Sequence, residues 1–166
     1  MRIYLPATVL ELDDLRPGRG GTTTLDLAPR RAHAVTAELT AAYPDDDEES
    51  LEYSAHLAAA DDTLALIAAD PSAPRLRLVL SVEVPDAVVV VAGGDVTVVA
   101  PSAVDVVEAV TAVVVCAHVD EDDARADVDA TLAGDDDAVE RLVDRDLLWY
   151  DASELGGLAR RLLVQG

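Results

Sequence analysis

From Arg75 to Val84 the chain alternates, with Leu76, Leu78, Leu80, Val82 and Val84 on one side and Arg77, Ser81 and Glu83 on the other. A period of two predicts a strand with one buried face. Upstream the period lengthens. Tyr53, Leu57, Ala60, Leu64 and Ile67 recur at steps of three and four, which predicts one long helix from the acidic turn Asp45–Glu49 to about Ala69. That stripe should be buried, with Glu52, His56 and Thr63 exposed. Asp70-Pro71 ends the helix.

Shorter elements surround these two. Arg2–Leu5 is β-prone, and Thr8 with Glu11 forms a T-x-x-E start for a brief helix closed by Pro17 and Gly18. Residues 16–31, rich in turn formers and holding four arginines, read as a flexible loop without the spacing of a phosphate loop. Ala32–Val35 is a second short strand, with Thr36 capping a helix that stops before Pro44. Val88–Val91 and Val96–Val99 flank Gly93-Gly94 as a hairpin, and Ser102–Ala109 is assigned a helical turn. Val110–Val119 is β-branched enough for a central strand, although 103–117 also satisfies a helical period. Asp120–Asp123 caps a helix through Leu132 that Gly134 ends, Asp135–Asp137 opens another, Leu147–Tyr150 is the last strand, and Asp151 with Glu154 starts the terminal helix.

This order predicts one globular domain over residues 1–166, α/β or α+β, with a single mixed, largely Val-rich sheet covered by helices. With one tryptophan, four tyrosines and no phenylalanine, the core must be aliphatic. Phenylalanine, lysine and asparagine are all missing, and their A/T-rich codons make the composition the imprint of a high-GC genome.

Charge narrows the function classes. The net charge is −21, and the acid is clustered: residues 36–74 carry ten acids and no arginine, and residues 120–166 carry fourteen acids against five arginines. Such a field repels phosphate backbones and few aromatics are available for stacking, so no nucleic-acid partner is expected. Apolar runs such as Ala112–Ala117 are far shorter than the roughly 20 residues a membrane helix needs, so no membrane partner is expected either. The first residues lack the apolar stretch of a signal peptide, and Cys116 is the only cysteine; both fit a cytoplasmic, reducing setting. A protein partner of unknown identity is compatible with all of this.

Reactive groups are sparse. Four strand-to-helix turns recur, at Leu5–Thr8, Val35-Thr36, His118–Asp120 and Trp149–Asp151. If the strands run parallel, these turns share the edge where open α/β sheets bind ligands, which makes Thr8, Thr36, His118, Asp120 and Tyr150 a candidate binding edge. His118 would be its acid/base or ligand. Helix capping explains Thr8, Thr36 and Asp120 equally well. A metal reading would recruit His118, Asp120 and Asp123, but their spacing fixes no third ligand, and the Asp runs favour weak, exchangeable Ca²⁺ or Mg²⁺ at most, so neither a held metal nor a cofactor is expected. No serine lies in a G-x-S-x-G elbow.

The opening MRIYLPAT, the inner HAVT at His33–Thr36, Glu52-Tyr53, AHVD at Ala117–Asp120 and the closing LLWY at Leu147–Tyr150 together resemble a family of small uncharacterised actinobacterial proteins. The resemblance runs nearly end to end. It implies a high-GC, cytoplasmic origin and carries no activity, cofactor or catalytic residue. A specified fold without a specified reactive constellation favours a non-catalytic interaction or accessory protein. A compact pocket containing His118 with a perturbed pKa would instead favour a small-ligand binder or enzyme.

Overall fold

The computed structural model describes residues 1–93 and 99–164. Its core is one nine-stranded sheet: β1 (Arg2–Ala7), β2 (Arg16–Pro17), β3 (Thr23–Leu27), β4 (Arg30–His33), β5 (Leu78–Glu83), β6 (Val89–Val91), β7 (Ala103–Val106), β8 (Val110–Val119) and β9 (Leu148–Asp151). The spatial order is β2-β3-β8-β5-β1-β4-β7-β6, and β9 pairs with the far half of β8. The helices are α1 (Ala37–Ala42), α2 (Glu48–Ala69), α3 (Arg125–Leu132), α4 (Asp136–Val143) and α5 (Leu155–Val164), joined by short 3-10 turns. The fold is mixed α/β.

Every pairing among the described strands is antiparallel. This corrects the parallel arrangement, whose condition of parallel neighbours is not met: β4 and β5 do run the same way, joined through α1 and α2, but β1 lies between them, antiparallel to both. Segment 16–31 is corrected too. It holds β2 and β3, because Thr23 and Thr24 favour extended backbone while Leu25 and Leu27 point into the core. Ser102–Ala109 likewise holds β7, at Ala103–Val106, rather than a helical turn, with Val104 and Val106 buried. β6 pairs with β7, and residues 94–98 of the expected Val88–Val91/Val96–Val99 hairpin lie outside the described residues.

Both faces of the sheet are covered, so the alternation of β5 does not divide buried from exposed. On one face Ile3, Leu5, Leu78, Leu80, Val82, Ala117 and Val119 meet Leu155, Leu158 and Leu162 of α5. On the other, Tyr4 and Val79 pack beneath α2. Arg77 and Ser81 also lie on this second face, and both are buried.

The register of α2 is the largest correction. Its ends fall as the sequence predicts, with the Asp47 side chain accepting from Ser50 N. Yet the buried residues are Leu51, Ala55, His56, Ala59, Ala60, Thr63 and Ile67, while Tyr53 is exposed and Leu57 and Leu64 are half-buried. Small side chains win the sheet-facing side because they let the helix approach a face crowded by Tyr4, Val79 and Leu39. Leu64 packs sideways against Ile67, Val128 and Leu142 of the α3–α4 cluster. A close fit predicts intolerance of added volume: Ala59→Leu should cost about 1–3 kcal/mol in urea denaturation. A variant as stable as the parent would show that the helix does not sit tightly on the sheet.

Candidate functional site

A bulge in β8 sets the geometry of the site. Ser81 pairs with Cys116 and Val82 pairs with Val114, so Val115 is the extra residue. An extra residue shifts the two-residue alternation by one. Before the bulge, Ala112 and Val114 face the α5 side; after it, Ala117 and Val119 do, and Cys116 and His118 turn toward α2. Tyr4, Ser81 and Cys116 thereby form one cross-strand row beneath α2, with His118 in the next row opposite Val79.

Over these rows α2 lays Glu52, Tyr53, His56 and Leu57, and the segment Arg145–Leu147 between α4 and β9 closes one side. The result is a cavity of about 350 Å³. Its floor is a contact between two imidazoles. The His56 and His118 ring centroids are 4.4 Å apart at 61°, and Tyr4 and Tyr53 each lie 6.2 Å from His56, edge-on and stacked respectively.

Both imidazoles are neutral at pH 7. Burial lowers the His56 pKa from the usual 6.5 to about 4, assisted by His118 and the Arg77 guanidinium, and burial alone lowers that of His118. Burial and the neighbouring Glu52 carboxylate raise the Tyr4 phenol, which therefore stays protonated. Nε2 of His56 and Nδ1 of His118 are buried without a hydrogen-bond partner. Buried polar atoms are rarely left so, and each unpaired one costs about 1–3 kcal/mol.

Of the residues expected at a shared edge, Thr8, His118 and Asp120 fall at one end of the sheet, through the registers Ala7–Leu78–Val119 and Pro6–Val79–His118, with Tyr150 toward the same end but on the other face, and Thr36 lies at the opposite end. Thr36 follows β4, whose His33 pairs with Tyr4, so it lies past the N-terminal end of β1, whereas Thr8 follows the C-terminal end. Thr36 Oγ1 accepts from Leu39 N at 3.0 Å and donates to Pro101 O at 2.5 Å, tying a helix start to the neighbouring loop. At Thr8 the backbone carries the cap: Thr8 N donates to Glu11 Oε1 at 2.9 Å and Thr8 O accepts from Glu11 N at 3.0 Å. Tyr150 pairs with Ala117 and packs on the α5 side beneath Arg161, on the opposite face from His118. Asp120 is held by Arg77, and Asp123 by Arg145 at 2.9 Å, so the considered metal trio does not converge. Of the five edge residues, His118 alone lines the cavity.

His56 escaped the sequence reading. Its spacing from Glu52 gave it a solvated role, and the signal that would have found it is the competing small stripe Leu51/Ala55/Ala59 that carries it inward.

The fold and cavity together define a class: a mixed α/β protein whose single antiparallel sheet and long covering helix enclose a histidine-floored pocket. The chain belongs to a family of unknown function, DUF6912, whose model matches residues 1–159. No curated protein and no solved structure matches it. No helix among the described residues is long and apolar enough to cross a membrane.

Proposed function

We propose that this protein binds a small ligand in the cavity between α2 and the sheet. One observation carries the reading: two neutral imidazoles in contact, each with an unpartnered buried nitrogen, lie on the floor of a cavity large enough for a ring-sized molecule. A neutral imidazole offers one donor and one acceptor, so a ligand bearing both kinds of group would complement the pair once the two rings part to uncover these closed-off nitrogens. This ranks the ligand-binding reading above a non-catalytic interaction or accessory role, whose natural sign would be a filled cavity. The acid/base chemistry available to His56 and His118 keeps an enzyme within the same reading.

The test is a fragment screen read on the His56 and His118 ring signals by NMR, repeated on a Leu57→Trp variant in which indole occupies the cavity. Fragments should shift both rings in the parent protein and leave them unmoved in the variant. If no fragment shifts them, or if hits bind the filled variant equally, the pocket is not a binding site.

A further inference from the structure

We infer that the ligand is an organic cation, an ammonium or amidinium group carried on a single ring or a chain of similar size. The inference rests on the pocket reading and adds the chemical class. Four rings line the space, those of Tyr4, Tyr53, His56 and His118, in contact with one another around His56. The negative faces of aromatic rings attract cations, and a set of rings converging on one cavity is the arrangement that recognises ammonium groups.

The charges at the rim point the same way. Glu49, Glu52 and Asp146 line the cavity, and neither Glu49 nor Asp146 has an arginine or histidine partner within 4.0 Å among the described residues. The two arginines on the lining do not offset them. Arg145 is already held by Asp123 and Asp127 at 2.9 Å, and Arg2 is divided between Glu52 at 3.9 Å and Glu83 at 4.0 Å. An anion entering here would meet uncompensated carboxylates, whereas a cation would meet acceptors. The net charge of −21 extends the same preference outward, raising the local concentration of cations around the molecule. Acidic residues alone would be solvated surface. What distinguishes this group is the buried, unpartnered His56 on the floor of the same cavity, 7% exposed.

Three probes of one shape separate charge from size: benzylammonium, benzyl alcohol and benzoate. Calorimetry, with the His56 and His118 ring signals locating the site, should find benzylammonium bound on the order of tenfold more tightly than the alcohol, and benzoate weakest. Glu52→Gln should weaken benzylammonium severalfold and leave the alcohol unchanged, while Arg2→Gln should tighten benzylammonium by removing a competing cation. Both positions are substantially exposed, and melting curves matching the parent would confirm intact folds. Equal or tighter binding of the alcohol or benzoate at the two histidines would overturn the cation and leave the pocket standing. Silence from all three probes would overturn the cation as well, with the fragment screen then deciding the fate of the pocket.

Discussion

Asp120→Ala is expected to cost about 3–5 kcal/mol of stability, the largest single-residue loss outside the aliphatic core. Asp120 and Arg77 have side chains 1% and 4% exposed. Arg77 Nη2 donates to Asp120 Oδ1 at 2.8 Å, and Nε donates to both carboxylate oxygens. The backbone takes part as well: Arg77 N donates to Asp120 Oδ2 at 2.8 Å, and Asp120 N donates to Arg77 O at 3.1 Å. Removing the carboxylate strands a buried guanidinium and an unpaired amide, and that penalty exceeds the net worth of the pair. Against a total stability of roughly 5–15 kcal/mol the variant would be barely folded. The double variant Arg77→Met/Asp120→Leu, which buries no charge, should recover most of the loss in urea denaturation. A single variant within 1 kcal/mol of the parent would refute the assignment of Asp120 to structure rather than to binding.

The same pair links stability to the site. Arg77 Nη2 also reaches Arg145 O at 3.4 Å, at the start of the segment that closes the cavity, and its charge helps to keep His56 neutral. Asp120, expected at a binding edge, thus acts at one remove, holding the start of β5 to the end of β8 beside the pocket.

What could be read from the sequence follows from what is local. Helix starts at Thr36, Asp47, Asp135 and Asp151 are legible because a cap acts within three residues, and each accepts a backbone N–H in the structure. Gly134, with φ at 89°, ends α3 for an equally local reason. The ambiguity of 103–117 also has a local source. The bulge at Val115 shifts the alternation of β8 by one residue, and a strand that changes parity midway presents apolar positions at spacings of two and three, as a helix does. Strand direction is not local. It depends on which strands become neighbours: β1 inserts between β4 and β5, and no pattern within any one of the three reveals that. The α2 register failed for a related reason. Hydrophobicity ranks Leu57 and Leu64 above Ala55 and Ala59, but the sheet face has room for the smaller pair, and the leucines serve the pocket and the α3–α4 cluster. Half of the imidazole pair was therefore visible at the end of β8, and the other half was hidden by a helix rotated away from its leucines.

The buried imidazole also predicts acid lability. In the unfolded chain His56 titrates near 6.5, and in the folded protein near 4, so between those values the unfolded state binds more protons. The stability associated with a neutral His56 is fully present above pH 6.5, is lost progressively as pH falls through that window, and levels off below about pH 4. The loss amounts to about 3 kcal/mol at its limit. The groups around the ring do not reverse the direction: Tyr4 on β1 is neutral, His118 on β8 is itself lowered by burial, Arg77 just before β5 opposes a second positive charge, and Glu52 lies one turn away on α2. Carboxylates held low by partners, such as Asp127 beside Arg141 and Arg145, add their own acid sensitivity, which parent and variant share. His56→Leu should therefore flatten the stability profile between pH 6.5 and 4 by up to about 3 kcal/mol, measured as the difference between parent and variant at each pH. The protonation of the His56 ring, followed by NMR in the parent, should have its midpoint well below 6. Parallel profiles for the two proteins, or a ring that titrates normally, would show that His56 is hydrated in the folded state and would remove the neutral pair from the floor of the pocket.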